Sequence, residues 1–372
     1  MASRLPSRLR IIAGASWNRL KTGRRRIAPI NPARILIAHH LLLGDTLMLT
    51  PLLAKLRAQY PQAEIVMTAP QAIAPLYEKR PYGVLAVSYD PGDPATFQAL
   101  YSLRGFDLAI VPGDNRFSWL AQALDAKWIV AHTGDRPNYK NWMVDEQIPY
   151  PAATAAWGDM VAELTPGSAP APYRPEDWQD PGYAAFPLAN TPYCVLHVGA
   201  SSPLKRWENE KWLALADDLA SRGYHIVWSG GRGEEKYVFA IDPQQKFTSY
   251  ASKLDLPQLW QLIKRASLLV CPDTGIAHMG RLVNTPTVTL FGPGSDTICG
   301  AGNFWQNSPY RTVTFPNFHC RNQHILFRRE IAWVQRCGRS QDECSAPACM
   351  HAITLESVTD AAHEILNNAR MN

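Results

Sequence analysis

Two loop sequences in this chain have the composition of phosphate-binding sites. Residues 197–207 (HVGASSPLKRW) and 271–280 (CPDTGIAHMG) each follow a strand-like apolar run and precede a helix-like pattern. Unpaired N–H groups at a helix start, together with the positive end of the helix dipole, attract anions. Small residues in both loops let a ligand come close to the backbone. We therefore expect the pair to bind a nucleotide diphosphate.

The first loop offers a cation and two hydroxyl groups. Lys205 adds a full positive charge, which is unfavourable at a helix start unless an anion binds there. Ser201 and Ser202 are candidate hydrogen-bond donors to the same phosphates. The alternative interpretations are an exposed lysine and ordinary loop or capping serines.

The second loop places Asp273 at a strand end, with Thr274 and Gly275 at the start of the next helix. The amides of that helix start can hold a phosphate. His278 lies four residues after Thr274 and so on the same helix face. The alternatives are that Asp273 only caps the helix and that His278 only packs.

A glycine-rich turn, Gly230-Gly-Arg-Gly-Glu-Glu235, supplies a further candidate. Glu234 could accept hydrogen bonds from ribose hydroxyls, and the adjacent Glu235 is an equal candidate. The turn also suggests a dinucleotide-dependent oxidoreductase. This alternative is weak, because the glycines lack the G-x-G-x-x-G spacing.

Strand-like runs alternate with helical patterns on both sides of a proline-rich stretch, which is the rhythm of an α/β protein with parallel sheets. Pro51 falls inside the first helical pattern and should bend the helix or delay its regular part. Leu355 to Ala369 predicts a last helix, which we expect to pack across the linker onto the first half. The predicted parts are a basic arm (1–30), an N-terminal Rossmann-like domain (31–175), a linker (176–192), a C-terminal Rossmann-like domain (193–352) with a Cys-rich segment (318–350), and a C-terminal helix (353–372).

The formal net charge of +5 comes from one end of the chain. Residues 1–34 hold nine of the 37 Lys and Arg residues and none of the 32 Asp and Glu residues, so the remainder is slightly acidic. Apolar side chains are interleaved with these charges. Two interpretations fit: a basic amphipathic arm on an anionic membrane surface, or a solvated tail. We expect no nucleic-acid partner and no membrane-spanning segment.

Seven cysteines without an evident export signal indicate a reducing compartment, and hence the cytoplasm. Four of them, Cys320, Cys337, Cys344 and Cys349, fall within thirty residues. Such a cluster suggests a structural Zn or Fe site, although it lacks a C-x₂-C pair. Unpaired buried thiols or an occasional disulfide are the equal alternative.

In four blocks the chain resembles family 9 glycosyltransferases, the heptosyltransferases of bacterial lipopolysaccharide assembly. The resemblance implies a GT-B fold of two Rossmann-like domains around a cleft. It also implies inverting sugar transfer without a catalytic metal ion. The blocks are residues 35–53, 197–207, 272–278 and 285–293.

This resemblance gives roles to the candidate residues. Asp45, which follows Gly44 at the end of the first strand, becomes the general base, although its position alone favours a helix N-cap. Lys205 becomes the group that neutralises the departing diphosphate. Gly44 joins the loop residues above in the nucleotide-sugar site.

The expected donor is ADP-heptose, and the expected acceptor is a lipopolysaccharide-type glycan or a lipid-linked glycan at the inner face of the cytoplasmic membrane. Residues 112–160 depart from the family pattern, so they leave the acceptor open. A protein acceptor is the alternative, since the related autotransporter heptosyltransferases carry a cysteine-held iron. A non-catalytic nucleotide-sugar binding module is the alternative from another class, and such a module has no need of Asp45.

Overall fold

The structure is a computed structural model that describes residues 5–22, 26–188, 192–316 and 318–371. Residues 1–4 and 23–25 of the predicted basic arm, and residues 189–191 of the predicted linker, lie outside the described residues.

A parallel six-stranded sheet forms the centre of the first half of the chain. The strand order is β3-β2-β1-β4-β5-β6, so the direction of winding reverses between β1 and β4. Most of these strands are buried on both faces, as expected for a parallel sheet. The strands are β1 (Arg34–Ile37), β2 (Glu64–Ala69), β3 (Val84–Ser88), β4 (Leu108–Val111), β5 (Trp128–His132) and β6 (Glu146–Ile148).

A second parallel six-stranded sheet, in the order β12-β11-β10-β7-β8-β9, repeats this winding. Its direction reverses between β7 and β10. Its strands are β7 (Tyr193–His197), β8 (His225–Ser229), β9 (Thr248–Ser249), β10 (Leu268–Pro272), β11 (Thr287–Phe291) and β12 (Tyr310–Thr314); an antiparallel hairpin follows, with β13 (Ile325–Leu326) and β14 (Arg329–Glu330).

Helices connect the strands, as the alternating sequence pattern predicts. In the first half they are α1 (Leu5–Thr22), α2 (Leu43–Leu47), α3 (Thr50–Gln59), α4 (Pro94–Tyr101), α5 (Phe117–Ala123) and α6 (Trp157–Ala162). In the second half they are α7 (Asn209–Ser221), α8 (Glu235–Ile241), α9 (Leu256–Lys264), α10 (Gly275–Leu282), α11 (Asp296–Cys299), α12 (Ala348–His351) and α13 (Leu355–Met371).

The chain divides into two compact units whose boundaries cross in sequence. The first unit is Met1–Ala171, Asp177–Pro181 and Ile325–Trp333; the second is Pro172–Glu176, Gly182–His324 and Val334–Asn372. Part of the predicted linker thus packs with the first unit, where the Trp178 indole N–H donates to the Leu76 carbonyl at 3.3 Å. The hairpin of β13 and β14 also belongs to the first unit.

Two expectations about helices have different outcomes. Pro51 does delay the regular helix: α2 ends at Leu47, and α3 starts at Thr50 with the proline in its first turn, where no amide donor is needed. The expectation that the last helix packs onto the first half is wrong. Val358, Ala362 and Ile365 of α13 are buried in the core of the second unit, together with strand residues of its sheet.

The basic arm is largely a docked helix. Ala15 of α1 is buried in the core of the first unit, and the Asn18 side chain donates to the backbone carbonyls of Gln122 and Ala123 at 3.0 and 3.2 Å. Arg19 and Arg26 both form ion pairs with the buried Asp145. Among the helices of the described residues, none has an apolar stretch long enough to cross a bilayer.

Gly280 of α10 packs directly on the second sheet. A Cβ atom at this position would lie 2.5 Å from Thr287 Oγ1 and 2.8 Å from Leu269 Cδ2. Both neighbours are buried side chains of strands, so they cannot move into solvent. The close packing fixes the helix that begins at the second candidate phosphate loop.

We therefore expect Gly280→Ala to destabilise the protein by about 1–3 kcal/mol through overpacking. Gly14→Ala is the matched control, since its Cβ would meet Ala123 Cβ at an ordinary 3.5 Å. Urea denaturation of both variants checks the prediction. An unchanged midpoint for Gly280→Ala would contradict it.

Candidate functional site

The two candidate phosphate loops of the second unit follow adjacent strands. β7 pairs in parallel with β10, so the loops that start at Val198 and Asp273 emerge side by side. This pair of strands is also where the winding reverses, and ligands of open α/β sheets bind at such a switch point, beyond the carboxyl ends of the strands. The sheet therefore brings together the two loops that the sequence singled out.

Lys205 links the two loops. Its ammonium group donates to the Asp273 carbonyl at 2.8 Å and to Asp273 Oδ2 at 2.7 Å. The Lys205 side chain is 23% exposed and that of Asp273 is 9% exposed, so the ammonium group keeps access to solvent while the carboxylate is nearly covered. The cation is thus held beside the start of α10, where a phosphate would meet it.

The start of α10 is built as the sequence predicts. Thr274 is the N-cap, and its Oγ1 accepts a hydrogen bond from the Ile276 amide at 3.3 Å. Gly275 is the first helical residue. The carboxylate of Asp273 is occupied by Lys205, and the cap hydrogen bond is made by Thr274, so the simple capping alternative for Asp273 does not describe its contacts.

The loop after β7 is held by a buried histidine and a carboxylate. His197 lies at the end of β7 with its Nδ1 atom 2.9 Å from Ser229 Oγ, and burial lowers its pKa to about 4. Ser202 accepts a hydrogen bond from the Leu204 amide at 3.3 Å, as a cap does. Ser201 is exposed.

Glu234 is placed under this loop. Its carboxylate accepts hydrogen bonds from the amides of Ala200, at 3.1 Å, and Gly231. A Cβ atom on Gly199 would lie 1.9 Å from Glu234 Oε2, so a larger residue there would displace this carboxylate. Glu235 is different: its carboxylate accepts a hydrogen bond from the Ser252 hydroxyl, which holds its pKa below the usual range. The structure thus separates two residues that the sequence treated as equal.

His278 is buried against a cation. Its Nδ1 atom contacts the guanidinium of the fully buried Arg281, which also donates to the Cys299 carbonyl at 3.0 Å. Burial, then Arg281 and then Lys205, lower the pKa of His278 well below its ordinary value. The ring is therefore neutral, and its Nδ1 atom is taken up by the contact with Arg281.

Asp45 lies in the first unit, at the corresponding edge of its own sheet. It is the third residue of α2, follows Gly44 and is half-buried. The N-cap of α2 is Leu42, which makes no side-chain cap. Asp45 is therefore not the N-cap of this helix, and it lies after β1, one of the two strands at which the first sheet reverses.

The four clustered cysteines line one small cavity of about 120 Å³ in the second unit, together with Phe318 and His319. Their donor atoms suit Zn or Fe. In the described residues, however, no three Cys, His, Asp or Glu side chains stand close enough to ligate an ion as they are placed. Burial, and then the other three thiols, raise the pKa of Cys349, while Arg321 opposes this rise. The four cysteines in this lining are Cys320, Cys337, Cys344 and Cys349.

Sequence analysis missed a buried polar cluster in the first unit. Arg329 of the hairpin donates to Asn115 Oδ1 at 2.7 Å and to the Thr133 carbonyl at 2.8 Å, and lies 3.7 Å from the Asp135 carboxylate. Lys140 pairs with the same carboxylate at 3.1 Å. No local pattern could reveal this cluster, because Arg329 comes from a segment about 200 residues away along the chain. The expected departure of residues 112–160 from the family pattern was the one signal in the sequence that pointed to this region.

The two units, each built on a parallel sheet with candidate ligand loops at its switch point, have the α/β architecture of GT-B glycosyltransferases. The family described as "Glycosyltransferase family 9 (heptosyltransferase)" matches residues 104–314. The chain belongs to this family.

Similar proteins are found both by sequence and by structure. Lipopolysaccharide heptosyltransferase 3 of Escherichia coli is 25% identical over 282 residues, which are 67% of this chain and 80% of the relative. The solved structure of the E. coli ADP-heptose lps heptosyltransferase II has a TM-score of 0.69 at 19% identity, covering 91% of this chain and 99% of that chain. The bacterial iron-containing dodecameric glycosyltransferase TibC, from enterotoxigenic E. coli H10407, has a TM-score of 0.55 at 14% identity, covering 92% and 78%.

The hairpin cluster leads to a stability prediction. We expect Arg329→Met to destabilise the first unit by about 3–5 kcal/mol, because a buried carboxylate and an amide oxygen lose their guanidinium partner. Arg328→Asn is the control: Arg328 is exposed, and asparagine tolerates its φ of 65°. Chemical denaturation of both variants measures the difference, and equal midpoints would show that the cluster does not hold the hairpin.

Proposed function

We propose that this chain is an inverting heptosyltransferase that transfers heptose from ADP-heptose to a lipopolysaccharide-type glycan. The observation that carries the proposal is the pair of phosphate-type loops at the β7–β10 switch point, with Lys205 held between them by Asp273. Family membership supports the chemistry. One relative is named a lipopolysaccharide heptosyltransferase, and one structural neighbour is named an ADP-heptose lps heptosyltransferase.

The proposed reaction uses residues of this chain alone. Asp45 accepts the proton of an acceptor hydroxyl as that oxygen forms a bond to the anomeric carbon of the donor. The bond from this carbon to the β-phosphate oxygen breaks, and its electron pair leaves with ADP. Lys205 and the amides at the start of α10 stabilise the negative charge that develops on the diphosphate. No metal ion is needed for any of these steps.

In the nucleotide-sugar site, the proposal keeps Gly44, Ser201, Ser202, Glu234, Asp273, Thr274, Gly275 and His278. Their roles differ. Thr274 and Gly275 present the helix start, and Ser201 offers an exposed hydroxyl. Glu234 acts by holding the loop backbone, and Asp273 acts by holding Lys205. His278 belongs to α10, and its neutral, buried ring helps to pack that helix.

A protein acceptor stays the alternative, and the four clustered cysteines support a separate proposal, a structural metal ion. All four line one cavity, and the structural neighbour TibC is named an iron-containing glycosyltransferase. We propose that Cys320, Cys337, Cys344 and Cys349 hold a structural Zn or Fe ion, which cross-links the segment and takes no part in the transfer.

The site of action follows from the acceptor. We propose that the enzyme works in the cytoplasm, beside the membrane that holds a lipid-linked acceptor, with the basic arm in peripheral contact with that membrane. The charge of residues 1–34 supports this placement.

Replacing the proposed base tests the mechanism. We expect Asp45→Asn to lower kcat by at least about 100-fold, because the amide cannot accept the proton, and to leave the affinity for ADP-heptose unchanged. Transfer assays and a thermal-shift titration with ADP-heptose and ADP provide the two measurements.

Asp93→Asn is the matched control, since this exposed N-cap of α4 works equally well as an amide. Wild-type turnover by Asp45→Asn would reject the role of Asp45. Stabilisation by other nucleoside diphosphates but not by ADP would reject the donor.

The metal proposal has its own test. Elemental analysis of purified protein should find about one Zn or Fe ion per chain, and thiolate charge-transfer absorption in the visible region would identify iron. Cys337→Ser should lose most of the metal, whereas Cys299→Ser, outside the cavity, should keep it. Folded protein with four titratable thiols in this segment and no metal would end the proposal.

A further inference from the structure

Helix α1 presents two opposite faces, and one of them is fixed to the first unit. On the docked face, Ala15 is fully buried, the Gly14 backbone lies close to Ala123, and the Asn18 amide binds the end of α5. Arg19 and Arg26 pair with Asp145, so the chain is held at the end of the helix and just beyond it. The rotation of α1 about its own axis is therefore determined.

The opposite face carries an exposed apolar stripe. Leu9, Ile12, Trp17 and Leu20 are 56%, 49%, 61% and 78% exposed. At 3.6 residues per turn, their directions from the helix axis fall within an arc of about 140°. Of the fourteen large apolar side chains that are exposed among the described residues, six lie between Leu9 and Ile30. The exposure is thus concentrated in the arm.

Basic residues border this stripe on both sides. On the helix surface Arg8 falls beside Ile12, and Arg10 and Lys21 fall beside Trp17. The Lys21 ammonium lies 5.1 Å from the centre of the Trp17 ring. The helix contains no acidic residue. An apolar stripe flanked by cations, with an aromatic ring at its edge, matches the boundary between anionic headgroups and acyl chains.

The charge pattern decides which partner covers the stripe. A second copy of α1 would bring the flanking cations of one helix against those of the other, without an acidic group in either helix to compensate. An anionic lipid surface provides apolar acyl chains for the stripe and phosphate groups for the basic residues that flank it. We propose that α1 lies in the plane of an anionic phospholipid surface, with Leu9, Ile12, Trp17 and Leu20 embedded and Arg8, Arg10 and Lys21 at the headgroups.

This assignment deepens the proposed function, on which it rests for the lipid-linked acceptor. Because α1 is fixed to the unit that holds Asp45, membrane contact also fixes the orientation of that unit towards the lipid surface. Transfer to an acceptor embedded in a vesicle should therefore depend on the stripe, and transfer to a water-soluble acceptor glycan should not.

Co-sedimentation of the full-length protein with vesicles tests the proposal. We expect binding to phosphatidylglycerol-containing vesicles, much weaker binding to pure phosphatidylcholine, and loss of binding at high salt. The double variant Leu9→Gln/Leu20→Gln should bind at least about ten-fold more weakly, since glutamine keeps helix propensity and removes the apolar contact. The triple variant Arg8→Gln/Arg10→Gln/Lys21→Gln should lose the preference for anionic lipid.

Phe239→Gln is the matched control, because Phe239 is 58% exposed on α8 of the second unit. It should bind vesicles like the wild type. Unchanged vesicle binding of the double variant would overturn the proposal, as would a wild-type dimer that this variant converts to a monomer, which would assign the stripe to a second copy. Donor-induced thermal shifts confirm that each variant is folded. If heptose transfer fails while vesicle binding follows the stripe, the proposed function falls and this inference stands.

Discussion

The parallel pairing of β7 with β10 is the constraint on which the candidate donor site depends. Parallel strands end at the same edge of a sheet, so this pairing alone places the start of α10 next to the loop that carries Lys205. A lysine there is stable without a ligand only because Asp273 provides a carbonyl and a carboxylate oxygen for it. The same contacts orient the ammonium group beside the helix start, so a diphosphate bound as proposed would add an anion to a cation already in position. Pre-organisation of this kind lowers the reorganisation required when charge develops on a leaving group.

The same topology explains why the first unit has a comparable edge. In each sheet the winding reverses between the strands that come first and fourth along the chain. In the first unit these are β1 and β4, and the loops that follow them emerge side by side at one edge. Asp45 lies after β1, and Gly113 lies after β4. A Cβ atom on Gly113 would lie 3.0 Å from Leu41 Cδ2. Phe327, at the tip of the hairpin, is the next neighbour at 3.7 Å. The tip therefore borders the edge that carries Asp45, with Phe327 and Arg328 both held at positive φ. Such a conformation costs energy in residues other than glycine, and buried Arg329 is the contact that maintains it.

Sequence reasoning recovered the parts that local patterns encode. Buried strands appear as apolar runs, and both phosphate loops were found because their small residues and Thr274 stand where a strand gives way to a helix. Strand β6, with the sequence EQI, was missed because it is a polar edge strand without an apolar run. The hairpin was missed for another reason: Phe327 and Arg328 form its turn without the Asn-Gly or Gly signal that usually marks one. Its attachment through Arg329 is a tertiary contact, which no local pattern can indicate. Glu234 and Glu235 were indistinguishable in sequence because their different tertiary partners, the Ala200 amide for Glu234 and the Ser252 hydroxyl for Glu235, separate their roles.

Residues 112–160, which were expected to depart from the family pattern, lie within the residues 104–314 that the family matches, and they hold two distant elements of the first unit. It contributes α5 and Asp145, against which α1 and the end of the basic arm are fixed. It also contributes Asn115 and Asp135, which receive Arg329, and the Pro151 carbonyl, which accepts the Trp333 indole N–H at 2.8 Å. One stretch thus docks two elements that lie far from it in sequence, one near each end of the chain. A buried carboxylate or amide is tolerated only with its partner present, so the polar residues of this stretch and the arm and hairpin that satisfy them depend on each other.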